Sequence, residues 1–171
     1  MAVLQVVYYP DDPLTYKAAP VDVFDEKLSE LVENMFETMH EYKGVGLAAP
    51  QIGLGKRLFV LQEPEGLEMC FVNPVILNAE GREEGEEGCL SMPEIYAQVF
   101  RAVEITVEAQ DLQGTKFTLE ASDFLSRVIQ HESDHLDGIF FPERLDIFSR
   151  QEKLQEWEVV RRRMEAESQG A

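Results

Sequence analysis

The stretch His131-Glu132-Ser133-Asp134-His135 decides how this chain is read. It has the form H-E-x-x-H, which on a helix puts two imidazoles on one side with a carboxylate beside them. Such a pair can hold one metal ion, and the glutamate can take a proton from a water that the ion polarises. The chain has only 3 histidines, and this pentapeptide uses two of them. At about 100° per residue, His131, Glu132 and His135 share one sector of the helix with Phe124 and Val128. Leu125 and Leu136 lie just beyond Glu132. The polar triad therefore points to the apolar side of the helix. Burying two imidazoles and a carboxylate without strong partners costs several kcal/mol. A metal ion is the simplest partner for all three. Core histidines with ordinary hydrogen bonds are the alternative.

Working outward, the helix carrying the motif is expected over about 123–137. Ser122 or Asp123 can cap its start, and Gly138 sits where a C-terminal glycine belongs. Upstream, Leu28, Leu31, Val32, Met35 and Met39 form an apolar stripe of helical period, predicting a helix over 25–42 capped by Asp22 or Asp25. An extended N-terminal arm precedes it. Leu58-Phe59-Val60-Leu61 reads as a strand. Met69 to Leu77 reads as another, interrupted by Asn73-Pro74. Val103, Ile105 and Val107 alternate with polar residues, as in a half-exposed strand. Asp111-Leu112-Gln113-Gly114 reads as a hairpin turn leading into 116–119. A last helix, about 149–168, aligns Leu154, Trp157, Val160 and Met164 on one face. The pattern lacks regular β-α-β alternation, so an α+β fold is predicted. Antiparallel or mixed strands would pack around a central helix carrying H-E-x-x-H, with one N-terminal and one C-terminal helix. Residues 1–171 are read as a single catalytic domain.

The motif needs a third ligand. His40 lies beside the stripe of the first helix and reads as a surface or boundary residue. Cys70 sits in an apolar strand and reads as packing. Cys89 lies in Glu86-Glu87-Gly88-Cys89-Leu90-Ser91-Met92-Pro93, a segment restrained by glycine before it and proline after it. One Cys and two His make a three-ligand set that leaves a coordination position for water, as catalytic sites require. A second segment, Gly44-Val45-Gly46-Leu47-Ala48-Ala49-Pro50-Gln51, loosely fits a dinucleotide-binding loop. That loop needs a strand before it and a helix after it. Here a helix precedes and Pro50 follows. Small residues instead let a ligand's main chain approach, and Gln51 offers an amide donor to a carbonyl oxygen. A tight turn with a packed glutamine is the plainer reading.

Bulk composition narrows the partners. The chain has 171 residues with 15 Lys+Arg against 33 Asp+Glu, a formal charge of −18. Such acidity excludes a general DNA or anionic-membrane binder. No apolar run reaches membrane-spanning length, and the N-terminus does not read as a signal peptide. Two cysteines make no disulfide framework. A reduced, cytoplasmic protein is expected. The Arg161-Arg162-Arg163 run reads as a solvated patch.

Taken together, the segments 44–51, 87–91 and 130–138 resemble, in order and separation, the three signature segments of bacterial-type peptide deformylase. The resemblance covers nearly the whole chain. It implies that Cys89, His131 and His135 bind the metal and that Glu132 is the catalytic acid/base. It implies that Gln51 and the Leu90 N–H stabilise an oxyanion, and that Val45, Gly46 and Gly88 line the peptide cleft. The implied substrate is the N-formyl-methionyl end of a nascent polypeptide, releasing formate and a free amine. Fe(II) is the implied cofactor, with Zn(II), Ni(II) or Co(II) possible in a purified sample. A ribosome contact near the exit tunnel, through Arg161–Arg163, is an implied partner that the acidic neighbours weaken. Tyr96 stands where many relatives have arginine, and Phe100 replaces a common proline. Asp123 and Ser126 replace small residues. A zinc peptidase cutting internal bonds shares H-E-x-x-H, but it accounts for neither 44–51 nor the Cys89 segment.

Overall fold

A computed structural model describes residues 2–169. Among these, three α-helices and seven strands follow one another in an α+β arrangement. Helix α1 is Glu26–Glu41, α2 is Asp123–Leu136 and α3 is Ile147–Gln169. The strands are β1 (Gly46–Ala48), β2 (Leu58–Gln62), β3 (Glu68–Glu80), β4 (Glu83–Cys89), β5 (Met92–Arg101), β6 (Glu104–Gln110) and β7 (Lys116–Ser122). Five of them form one sheet in the order β1-β2-β3-β6-β7, and β4 pairs with β5 as a separate ribbon. Every ladder among the described residues is antiparallel, which removes the mixed alternative. A lone bridge between Ala19 and Lys56 is the parallel exception.

Strand β2 explains how the layers stack. Its four apolar residues are all buried. Because a strand alternates faces, Phe59 and Leu61 turn to one core while Leu58 and Val60 turn to another. Helix α2 covers the first face with Val128, Ile129 and Leu136. Helix α1 covers the second with Leu28, Val32, Met35 and Met39, the stripe its sequence period predicts. Each such side chain contributes about 1.5–3 kcal/mol when fully buried. A third cluster joins β5, Phe140, Phe141 and Trp157 of α3. Leu154, Val160 and Met164 pack at its edge, on the expected face of α3.

Local signals set the helix ends. Asp25, not Asp22, caps α1, its Oδ1 accepting the Leu28 N–H at 3.1 Å. Ser122 sits at the N-cap of α2 but makes no side-chain cap bond. Helix α3 starts two residues before Ser149, because Asp146 Oδ1 accepts the Phe148 and Ser149 N–H groups at 3.1 and 2.9 Å. Asp111 Oδ1 accepts from Gln113 and Thr115, closing the expected hairpin turn between β6 and β7.

Two sequence expectations change. Asn73-Pro74 does not interrupt the strand; β3 runs on to Glu80 through register shifts between Val72 and Val75 and between Ile76 and Asn78. Asn73 takes φ +50, a conformation that asparagine tolerates better than most residues. Its amide bonds the Val21 N–H, the Val21 carbonyl and Gln110 Oε1 at 2.8, 2.9 and 2.7 Å. The second change is the β4–β5 ribbon, which the Glu- and Gly-rich sequence of 83–88 does not announce.

Candidate active site

Helix α2 lies under the sheet and presents His131, Glu132 and His135, all buried. The β4–β5 ribbon brings Cys89 against them. Cys89 Sγ is 3.3 Å from His135 Nε2, which is 3.2 Å from His131 Nε2. The three donor atoms lie within 4.8 Å of one another, a spacing one ion can bridge. One thiolate and two imidazoles suit a borderline-soft divalent metal. The remaining polar atoms agree with that use. Glu132 Oε1 is buried without a partner among the described residues and stands beside the three donors.

The two imidazoles are held differently. His131 Nδ1 lies 2.9 Å from Glu87 Oε1, which leaves its Nε2 facing Cys89 and His135. His135 Nδ1 has no hydrogen-bond partner among the described residues. Burial alone would keep His131 neutral, but its bonds to Cys89 and Glu87 outweigh this and raise its pKa well above 6.5. His135 shifts the other way, through burial and then the nearby His131. Burial pushes the Glu132 carboxyl up to about 7. Burial also works against the charge of Glu87. Hydrogen bonds and charge from Arg101 and His131 overcome it and hold that carboxyl well below the usual range.

Three further residues fix the pieces. Gln51 Oε1 accepts the Ala48 N–H at 2.9 Å, which turns the Gln51 NH2 toward Cys89 Sγ at 3.5 Å and Ser91 Oγ at 3.3 Å. Gly46 passes so close to Glu132 that an added Cβ would sit 2.6 Å from Oε2. Tyr96 pairs with Gly88 across the ribbon, and its ring occupies the space a Gly88 Cβ would need.

A cleft of about 560 Å3 opens over this centre. Its lining includes Val45, Gly46, Gln51, Gly88, Cys89, Leu90, His131 and Glu132. All the site residues expected from sequence therefore meet in one place, with His135 behind them. Edge strand β1 forms one wall and the β4–β5 ribbon the other. Tyr96 also lines the cleft, whereas Phe100 lies outside it under the Arg82 guanidinium, 3.8 Å from the ring centre. Phe124 departs from the wheel expectation of an apolar core position. It is 46% exposed and lines the cleft. Ser126 is buried and bonds the Ala102 carbonyl at 3.0 Å. His40 is exposed and pairs with Glu68, away from the metal donors.

The model of the polypeptide deformylase family matches residues 3–151. The chain belongs to the polypeptide deformylase family. Peptide deformylase of Acidobacterium capsulatum is 47% identical over 154 residues, covering 88% of this chain and 91% of that protein. Peptide deformylase 1 of Bacillus subtilis is 45% identical over 160 residues, 92% of this chain and 99% of that protein. The crystal structure of peptide deformylase from Thermus thermophilus superposes with a TM-score of 0.90 at 48% identity, covering 96% of this chain and 99% of that one. Deformylases are metal-dependent enzymes that remove the formyl group from the N-terminal formyl-methionine of nascent chains. The match explains why a Cys-His-His donor set stands beneath an open cleft.

Sequence reasoning missed Glu87, Arg101, Asp134 and Arg144, which form an ionic chain behind His131, buried except at its Arg144 end. Arg101 donates to Glu87 from Nε and Nη2, both at 2.9 Å, and to Asp134 from Nη1 at 2.6 Å. Arg127 adds a bond to Glu87 at 2.7 Å. The signal in the sequence was slight: an acid two residues before Cys89, and another one residue before His135.

Proposed function

We propose that Cys89, His131 and His135 hold the metal of this deformylase and that Glu132, Gln51 and the Leu90 N–H act on the formyl group. One observation carries the reading: the three donors converge at the floor of a cleft beside an unpartnered, buried Glu132 carboxylate oxygen. When bound, the ion supplies Lewis acidity and makes a water acidic enough to lose its proton near neutral pH. Glu132 receives that proton and later returns it to the leaving amine. A carboxyl raised to about 7 suits both transfers. Gly46, packed against Glu132, keeps the carboxylate from swinging away. The Gln51 NH2, oriented by Ala48, donates to the formyl oxygen as charge builds there, and the Leu90 N–H joins it. A preorganised donor of this kind is worth about 3 kcal/mol. A formyl group is smaller than an acetyl by one methyl, so a close fit under Gly46 and Leu90 discriminates sterically.

Val45, Gly46 and Gly88 are assigned to the peptide's main chain, since they lie along the edge strand and the facing ribbon. Fe(II) is proposed as the working metal on family resemblance, although such N/S donor sets bind Zn(II) more tightly. Residues 1–171 are proposed to act as one catalytic domain in the cytoplasm. None of the helices among the described residues is long and apolar enough to cross a membrane. A ribosome contact through Arg161–Arg163 draws less support. Arg161 and Arg162 pair with Glu158, Arg161 also with Glu165, and Arg163 with Glu94 and Glu167.

The test is formate release from a formyl-Met tripeptide under anaerobic conditions, with metal analysis of the same sample. Glu132→Gln is expected to keep its metal and lose about 10²–10⁴-fold in turnover. Near-normal turnover in that variant, or cleavage of unformylated internal bonds by the parent, would sink the mechanism.

A further inference from the structure

We infer that Arg144, outside the cleft, is a positioning residue that sets the hold of His131 on the metal. The inference rests on the metal assignment above. Arg144 ends the 3-10 turn Phe141–Arg144 and is partly exposed to solvent. Its guanidinium grips Asp134 at two points, Nε to Oδ2 at 3.0 Å and Nη2 to Oδ1 at 2.6 Å. Asp134 Oδ2 also takes Arg101 Nη1 at 2.6 Å. Arg101 in turn carries Glu87, and Glu87 carries His131 Nδ1 at 2.9 Å. The chain therefore runs from a solvent-facing cation to a ligand imidazole through three charged groups, Asp134, Arg101 and Glu87.

Two features make the connection directional. First, Arg101 is shared: the same guanidinium serves Glu87 and Asp134, and it is almost fully buried. Second, Arg144 is the side-chain partner of Asp134 Oδ1 among the described residues. Removing it leaves a buried carboxylate short of one strong bond, which is costly. Asp134 then competes harder for Arg101, at the expense of Glu87. Glu87 keeps Arg127, so the ribbon stays in place while the restraint on His131 loosens. His135 offers no substitute path, because its Nδ1 has no partner among the described residues. Of the two imidazoles, only His131 has its second ring nitrogen held by a side chain among the described residues. Partners in this position tune metal ligands strongly, typically 10–100-fold when the direct partner is lost.

The experiment is a double-mutant cycle read in metal affinity. Wild type, Arg144→Ala, Glu87→Gln and the double variant are titrated with Zn2+ and Co2+ against a competing chelator. Arg144→Ala is expected to weaken binding severalfold, and Glu87→Gln about 10–100-fold. In the Glu87→Gln background, Arg144→Ala is expected to add nothing, because the path is already cut. Arg144→Lys, which keeps the charge but loses the two-point fork, is expected to fall between wild type and Arg144→Ala. Additive effects, or an Arg144→Ala affinity equal to wild type, would overturn the inference. If Glu87→Gln does not fold, the Co2+ absorption spectrum of Arg144→Ala decides: a changed ligand-field envelope with weaker binding supports the path, and an unchanged spectrum overturns it. A wild-type protein that binds neither ion would sink the metal assignment itself. A wild type that binds and an Arg144→Ala variant that binds equally would sink only this inference.

Discussion

The two cysteines are both half-buried, but only Cys89 borders the cleft. Cys70 lies in β3 opposite Val60, packed at the edge of the α1 core, and burial pushes its thiol up to about 12. At pH 8 it stays protonated and unreactive, since only the thiolate is a nucleophile. Cys89 faces the open cleft. A thiol-labelling time course on folded, metal-stripped protein at pH 8 is therefore expected to show one fast thiol, with the second appearing only on denaturation. Two fast thiols would contradict the packing of Cys70. Gly46 is the other residue whose identity is dictated by a single distance. A Cβ there would lie 2.6 Å from Glu132 Oε2, and the buried carboxylate has little room to move. Gly46→Ala is expected to lower kcat by about tenfold or more while leaving metal content intact, since misplaced catalytic groups are penalised steeply. Unchanged kcat with a full metal complement would show that Glu132 can retreat.

At the scale of elements, the β4–β5 ribbon is held by the apolar residues of β5 on one side and by Arg127 against the other strand. The Arg127 Nη1 bonds Glu87 at 2.7 Å and the Val99 carbonyl at 2.8 Å, and its Nη2 bonds the Glu83 carbonyl at 2.8 Å. The guanidinium fills the space that a Gly85 Cβ would claim. Arg127→Ala removes these bonds while Glu87 keeps Arg101 and His131, and it is expected to cost about 1–3 kcal/mol. Hydrogen exchange is expected to quicken across 83–101 more than across β2, β3 and β6. Uniform acceleration would mean the ribbon has no separate dependence on Arg127. The same ribbon marks where sequence reasoning stopped. The periods of α1 and α3, the doubly buried run in β2, the alternation in β6 and the turn at Asp111 were all readable, because each depends on neighbours in sequence. The meeting of Cys89, His131 and His135 was readable too, because H-E-x-x-H and a cysteine restrained by its neighbours leave few alternatives. The ribbon was not, because the Glu- and Gly-rich β4 favours a strand poorly and an arginine some 40 positions away supplies bonds to it. Glu87, Arg101, Asp134 and Arg144 escaped for the same reason: charges that meet only in space leave no spacing to count.

Across the whole molecule, the N-terminal arm and α3 act on the site from behind. The Val7 N–H bonds the Gln51 carbonyl at 2.8 Å, and the Tyr9 N–H bonds the Ser91 carbonyl at 3.0 Å. The arm thus ties the 44–51 wall to the Cys89 wall. Trp157 holds the arm in turn, its Nε1 donating to the Tyr9 carbonyl at 2.9 Å and its ring buried in the β5 cluster. Trp157→Ala is expected to cost about 3–5 kcal/mol, which a domain of ordinary stability, about 5–15 kcal/mol, survives at low temperature. The proposed metal ligands sit on α2 and the β4–β5 ribbon, so metal stoichiometry is expected to hold. The proposed donors to the formyl oxygen depend on Gln51 and on the segment beside Ser91, so kcat is expected to fall although no cleft residue has changed. Trp157→Phe keeps most of the packing and loses only the bond to Tyr9, so it is expected to retain most of the stability and lose part of the turnover. Urea melts, metal analysis and formate release on the three proteins separate these effects. A Trp157→Ala protein that is destabilised yet turns over at the parent rate would show that the arm braces the fold without bracing the site.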